Sequence, residues 1–480
     1  MSLPASPVAP PEAPPQDPSS LPPGPSLLDR YREVRGFTLE LTRGLAPEDQ
    51  VVQSMEDVSP TKWHLAHTSW FWEVFVLEPH LEGYQALDPE YHFLFNSYYV
   101  QAGERHCRAQ RGWLSRPTVA QVLDYRAHVD RGMNELLAGP TEGDLRELVE
   151  LGLNHEQQHQ ELILTDLKHV FGVNPLRPAF RPGSPGPAGH AAHLAAPAAP
   201  AAPGPGPRLA PLGFVTFDGG VHEIGLPHAG RLPSPEASFS YDNEGPVHRR
   251  FIEPFALADR LVTNAEYLAF LDDGGYRRPE LWMSAGWAAR LAHGWTEPFY
   301  WEERDSQWWS FTLGGMRPLH PDEPVVHLTW YEADAYARWA GARLPREDEW
   351  EMAARAALAA GVPLDGNLAD AGRFHPAPAP PHADPGGAGA RTGAGTPGPA
   401  TLRQLFGDCW EWTSSDYAAY PGYRPAPGAV GEYNGKFMTG QYVLRGGSCA
   451  TSRSHLRITY RNFFPPDAAW QFTGLRLARD

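Results

Sequence analysis

Residues 153–162 read LNHEQQHQEL. His155 and His159 stand four apart, so on an α-helix they occupy consecutive turns of one face and their imidazoles can meet a single metal ion. Read literally, the run is H-E-x-x-H, in which two histidines hold zinc and the intervening glutamate activates a water for peptide hydrolysis. On a helical wheel Leu148, His155, His159 and Leu162 share one stripe, with Glu156 about 100° round from His155 at its side. A second stripe lies upstream. Trp63, His67, Trp70, Val74 and Leu77 follow a four-three-four-three spacing, which turns His67 inward as well. His64 shares a flank with Thr68 and Phe71 and is less well placed. Three neutral imidazoles with no protein carboxylate suit zinc or ferrous iron, and an octahedral ferrous site of this kind keeps three positions open for substrates and dioxygen. A zinc protease takes its third ligand from downstream and aims the glutamate at the metal-bound water. Here the third histidine is upstream, in another helix, which argues against proteolysis.

Two further groups have chemical potential. Tyr98 and Tyr99 are adjacent and follow a polar Asn-Ser pair. A phenol beside a site of oxygen activation can donate a proton or a hydrogen atom. Arg105, Arg108 and Arg111 recur every third residue, and guanidinium groups suit bidentate capture of a carboxylate.

Four amphipathic segments must position these groups. The spacing predicts helices over 26–45, 61–78, 116–139 and 143–171, hence a four-helix bundle with a long connection, residues 91–118, between the second and third. Residues 1–24 are rich in Pro, Ala and Ser and read as a disordered N-terminus; residues 181–208 read as a Pro/Ala-rich linker; residues 377–398 read as a loop insertion. The chain therefore divides into an N-terminal helical domain, 25–180, and a C-terminal domain, 209–480. The second half changes character. FVTFDGGVHEIG (214–225) predicts a hairpin about Asp-Gly-Gly. Residues 330–355 predict two helices broken at a glycine, with Pro345 opening the second. Short strands and glycine turns follow to the end, giving an α+β domain.

Composition narrows the function. The formal net charge is −17 over 480 residues, and Lys and Arg form no basic runs, so nucleic acid and anionic membranes are poor partners. No run of about 18 apolar residues occurs, and the first twenty residues lack the basic and apolar regions of a signal peptide. Three separated cysteines, with no C-x-x-C pair, fit a reducing cytoplasm rather than a disulfide framework.

In order along the chain, SPTKWHLAH, FNSYY, GERHCRAQRGWLSRPT and NHEQQHQEL resemble the motifs of the ergothioneine-biosynthesis sulfoxide synthases, the hercynine oxygenases. PFALADRLVTNAEYLAFL, PVVHLTWYEADAYARWAGARLPREDEWEMAAR, FGDCWEWTSS and VLRGGSCATS resemble the formylglycine-generating-enzyme (sulfatase-modifying factor) domain. The resemblance runs from about residue 26 to the end, apart from the Pro/Ala/Gly insertions. It implies a multidomain chain: a DinB-like four-helix bundle joined to an α+β C-type-lectin-like domain, with the active site between them. It implies non-haem Fe(II) held by His67, His155 and His159, and dioxygen as co-substrate. It also implies a reaction joining the sulfur of cysteine or γ-glutamylcysteine to the imidazole carbon of hercynine, with oxygenation of that sulfur. The Asn-Ser-Tyr-Tyr segment resembles the branch that accepts cysteine, in which adjacent tyrosines, here Tyr98 and Tyr99, serve the reaction. Gln158, by its place in the motif, is expected at the hercynine imidazole, and Arg105 and Arg108 at a substrate carboxylate. In DCWEWTSSDY, Trp412 is expected to offer an aromatic face to the trimethylammonium, and Asp416 to hold an ammonium. The C-terminal segment RGGSCATSRSH has Cys449 without a second cysteine nearby in sequence, so formylglycine-type chemistry is not expected. Three other readings stay open: a DinB-like metal-dependent thiol transferase that needs no oxygen, a noncatalytic ligand-binding protein built on the lectin-like domain, and a synthase acting on histidine, as in ovothiol formation.

Overall fold

The computed structural model describes residues 25–180, 211–227, 239–381, 391–392 and 396–480. The expected disordered N-terminus (1–24), the linker (181–208) and most of the tip of the 377–398 insertion lie outside the described residues. Residues 25–180 form the helical unit. Helix α1 (Leu27–Thr42) opens on a Ser26/Asp29 capping box. Helix α2 (Thr61–Phe71) continues through a π-turn (Trp72–Leu77) into Glu78–His80. Helix α3 (Val119–Leu137) opens on a Thr118/Gln121 capping box, and α4 (Gly143–Val173) runs for 31 residues, about 46 Å at 1.5 Å per residue. Reciprocal side-chain and backbone bonds at the capping boxes satisfy donors that a helix start otherwise leaves unpaired. Tyr31, Trp63, Trp70, Trp72, Tyr125 and Leu153 meet in the bundle core.

The C-terminal unit is α+β. Strand β1 (Phe214–Phe217) pairs with β4 (Phe255–Ala258), and β2 (Gly220–Ile224) with β3 (His248–Ile252), both antiparallel. The expected hairpin about Asp-Gly-Gly is therefore not formed: β1 and β2 enter different sheets. A Cβ on Gly219 would lie 2.5 Å from the Ile252 carbonyl and 2.7 Å from Pro254, so the glycine lets the chain pass close over the β3–β4 corner instead of turning back on itself. A three-stranded meander, β5 (Trp301–Arg304), β6 (Gln307–Thr312) and β7 (Gly315–Pro318), precedes helices α5 (Trp330–Trp339) and α6 (Glu347–Ala359). Helix α6 starts two residues later than expected: Arg346 is its N-cap and Pro345 lies outside. The last sheet is β8 (Trp410–Asp416), β9 (Tyr442–Arg445), β10 (Asn462–Phe464) and β11 (Thr473–Gly474), in the order β10-β9-β8-β11.

Helix α4 is sandwiched. One face packs on α1 and α2; the other carries Asn154, Gln157, Gln158, Gln160 and Glu161 against the C-terminal unit. Gln157 donates to Ser454 Oγ (2.6 Å) and Ser452 Oγ to Gln160 (2.8 Å). The Glu161 carboxylate accepts from Trp410 Nε1 (2.7 Å), Ser448 Oγ (2.5 Å) and Thr451 Oγ1 (2.8 Å). A polar helix face is thus buried without orphaned groups, because the second unit supplies partners.

Candidate metal centre and substrate pocket

Helix periodicity places His155 and His159 one turn apart, and packing of α2 on α4 brings His67 to meet them. Ligand nitrogens of the three lie within 4.8 Å of one another, and all three residues are buried. His67 Nε2 and His155 Nε2 are 3.3 Å apart. Two nitrogens each about 2.1 Å from one ion, at tetrahedral to octahedral angles, are about 3.0–3.4 Å apart, so the spacing fits a shared metal. His67 Nδ1 contacts the Phe95 carbonyl at 2.6 Å, which fixes the hydrogen on Nδ1 and leaves Nε2 as the lone pair. Its ring is held between Trp63 (4.7 Å, 10°) and Trp70 (5.4 Å, 16°), the stripe neighbours that the sequence aligned with it. His155 stacks on Phe71 at 4.6 Å, and its Nδ1 is buried without a protein partner. Burial, reinforced at His67 by His155 and at His159 by His67, holds both well below the usual histidine range, and burial takes His155 to about 4. Three unprotonated imidazoles are the form that binds a divalent cation.

Glu156 points elsewhere. Its carboxylate accepts from Arg35 (3.2 Å), Arg126 (3.2 Å), Trp72 Nε1 (2.9 Å) and Thr38 Oγ1 (2.8 Å). It is the buried hub of the bundle, its oxygens engaged by these four groups.

His64 corrects its expected position. Its Nδ1 lies 2.9 Å from His159 Nδ1, and its Nε2 lies 3.0 Å from Asp166 Oδ2. Both residues are missed by wheel reasoning, since the contact depends on the relative rotation of α2 and α4.

A cavity of about 310 Å³ opens from His155 and His159 and is walled by both units. Tyr98 and Tyr99 line it. Tyr98 Oη accepts from Arg108 Nη1 at 2.5 Å, and its ring meets Phe437 edge-on at 5.0 Å. Tyr99 is buried, lies 5.6 Å from Trp70 and 6.5 Å from His155 between ring centres, and burial raises its phenol well above the usual range. Gln158 lines the cavity and donates to Tyr460 Oη at 2.7 Å. Arg108 and Arg111 line it too. Arg111 stacks 3.4 Å over Trp63, donates to Ser59 Oγ (2.9 Å) and has a buried Nε without a partner; burial pushes it down to about 9.

Besides His67, which is buried with His155 and His159, three expected site residues are not among those lining the cavity. Arg105 is exposed and donates to the Ser97 carbonyl (2.9 Å). Trp412 is fully buried in the C-terminal core, its Nε1 donating to the Leu328 carbonyl (2.9 Å). Asp416 is exposed at the end of β8. Trp412 lies in the run of four consecutive buried residues that opens β8, and a register irregularity between Trp412 and Asp416 carries the strand end out to solvent. The aromatic wall comes instead from Tyr433, Phe437, Tyr460, Phe463 and Phe464. The run RITYRNFF carried the signal, an aromatic-rich stretch of a segment without helical periodicity. The fold also brings Cys449 beside the Asp408–Cys409 segment, its N–H donating to the Asp408 carbonyl (3.1 Å); both thiols are free and buried, and burial keeps them protonated.

Comparisons with known proteins agree with this architecture. Residues 30–163 match the DinB superfamily, and residues 201–480 match the sulfatase-modifying factor enzyme 1-like domain. A hercynine oxygenase of Mycolicibacterium thermoresistibile is 34% identical over 445 residues, covering 88% of each chain. That of Mycolicibacterium smegmatis is 34% identical over 88% of this chain and 91% of its own. A formylglycine-generating enzyme of Thermomonospora curvata is 31% identical over 56% of this chain and 93% of its own, so that likeness is confined to the C-terminal unit. The match to the hercynine oxygenases runs over both units, and the chain belongs to their family.

Proposed function

We propose that this chain is a non-haem Fe(II)- and dioxygen-dependent sulfoxide synthase that joins the sulfur of cysteine to the imidazole carbon of hercynine and oxygenates that sulfur. The observation that carries the reading is the buried, unprotonated trio His67, His155 and His159, of which His155 and His159 line a cavity walled by both units, in a chain of the hercynine oxygenase family. Ferrous iron held by the trio would supply open positions for substrates and the electrons that begin dioxygen reduction. The overall balance is one C–H and one S–H bond lost, one C–S and one S–O bond formed, and the second oxygen atom released as water.

The protein's own groups have separable tasks. Gln158 sits next to His159 on the cavity wall and orients the imidazole of hercynine. The aromatic faces of Tyr433, Phe437 and Phe463 favour its trimethylammonium. Arg108 and Arg111 hold the carboxylate of the thiol donor: Arg111 has no carboxylate within ion-pairing distance among the described residues, and a buried cation with a free N–H favours an anion. Tyr98 and Tyr99 donate a proton or hydrogen atom. The Tyr98 oxygen already accepts from Arg108, so its own hydrogen is free to point into the cavity. Burial keeps Tyr99 protonated. Walling the cavity with a second unit limits the access of water and fixes the sulfur beside the ring carbon.

The test is anaerobic loading with Fe(II), addition of hercynine, then admission of oxygen with cysteine in one reaction and γ-glutamylcysteine in another. Mass spectrometry of the products and oxygen uptake are the readouts. A cysteine-derived sulfoxide is the expected product. Thiol transfer without oxygen uptake would replace this reading with a metal-dependent thiol transferase, and a conjugate formed only when histidine replaces hercynine would replace it with an ovothiol-type synthase.

A further inference from the structure

We propose that Asp166 and His64 form an outer shell that sets the tautomer of His159, and so bares the nitrogen with which His159 holds a metal; the metal role rests on the reading of the trio given above. The argument follows the hydrogens. The Asp166 carboxylate can only accept, so its 3.0 Å contact requires the hydrogen on His64 Nε2. His64 Nδ1 is then a lone pair. The 2.9 Å contact between the two Nδ1 atoms therefore requires the hydrogen on His159 Nδ1. His159 Nε2 is left without a hydrogen. Phe95 does the same for His67 with its carbonyl, whereas His155 has no such partner.

Asp166 is held in turn. The Ser59 N–H donates to Oδ2 (2.9 Å) and Trp470 Nε1 to Oδ1 (3.3 Å). His64 and Asp166 are 2% and 3% exposed, so water does not compete for these contacts. Trp470 belongs to the C-terminal unit, which therefore reaches the outer shell of a centre built wholly from bundle helices. A trio without a carboxylate ligand also has one negative charge wired to it through two hydrogen bonds, which strengthens His159 as a donor. His64 and Asp166 are positioning residues; neither needs to touch a substrate to act.

The experiment uses the full chain without metal, with Co(II) as the probe. Histidine ring nitrogens are labelled with ¹⁵N to read the His159 tautomer by NMR, and Co(II) is titrated by visible absorption. Wild type is expected to carry the His159 hydrogen on Nδ1. His64→Asn places an amide oxygen where Nδ1 stood, so it should keep that tautomer and bind Co(II) close to wild type. His64→Leu removes the acceptor and should weaken Co(II) binding by about 10- to 100-fold, with part of His159 shifting to the Nε2–H form. The proposal is overturned by a wild-type hydrogen on Nε2, by His64→Leu binding as tightly as wild type, or by His64→Asn binding as weakly as His64→Leu. The wild-type tautomer decides the matter even if His64→Leu does not fold. A wild type with the expected tautomer but no Co(II) uptake would overturn the metal reading and leave the tautomer assignment standing.

Discussion

Substituting Glu156 with Gln separates the two meanings of the H-E-x-x-H run. The change keeps the shape of the side chain and removes its charge. In the structure that charge faces two buried guanidinium groups, Arg35 and Arg126, at 3.2 Å each. Arg35 keeps a second carboxylate, Asp130, at 2.7 Å. Arg126 does not: its other bonds go to the Leu65 carbonyl, the Thr68 hydroxyl and the Arg35 carbonyl. One buried cation is therefore stranded, and breaking such a pair from one side costs about 3–5 kcal/mol. With about 2–4 °C of melting temperature per kcal/mol for a domain of this size, Glu156→Gln should melt about 6–20 °C below wild type at pH 7. Differential scanning calorimetry of the metal-free protein is the assay. The gap should also depend on pH. Burial alone would raise the Glu156 carboxyl, but Arg35 and Arg126, with bonds from Trp72 and Thr38, outweigh it and hold the group at about 2, against an ordinary 4.5. A depressed acid contributes stability that is present in full above 4.5 and lost as pH falls from there through about 2, so the two melting curves should converge over that window. A Glu156→Gln protein as stable as wild type, yet inactive, would refute the structural assignment and restore Glu156 as a catalytic base.

Two further outcomes follow from the cavity. Arg111→Met should raise KM for the thiol donor by about 10- to 100-fold, the loss of a charged hydrogen bond worth about 1.5–3 kcal/mol, with kcat little changed. It should not lower the melting temperature, since burial already disfavours this unpaired cation; an unchanged KM would exclude Arg111 from substrate binding. The Tyr98→Phe/Tyr99→Phe double variant should retain metal but lose most sulfoxide formation, read by mass spectrometry, and unchanged product would remove both phenols from the reaction.

Much of the centre is legible in the sequence because it rests on one local rule. Helix periodicity of 3.6 residues places His67, His155 and His159 on inward stripes whatever the helices pack against, and it places Trp63 and Trp70 where they clamp the His67 ring. The capping residues Ser26 and Thr118 mark helix starts for an equally local reason. The same rule misplaces the rest. His64 lies on the flank of its stripe, and only the rotation of α2 against α4 brings it to His159 and Asp166. Gln157, Gln160 and Glu161 lie beside the histidine stripe, and they are buried because a second unit, distant in sequence, supplies partners for them. Trp412 and Asp416 sit in a motif rich in aromatic and acidic residues, but β8 is buried throughout its start at Trp412 and an irregularity before Asp416 leaves that residue in solvent. The true aromatic wall belongs to loops, one short helical turn and a short strand, with no period to read. Local spacing determines which side chains share a face of one element; the docking of elements far apart in the chain decides which faces meet, and the substrate cavity is made of those meetings.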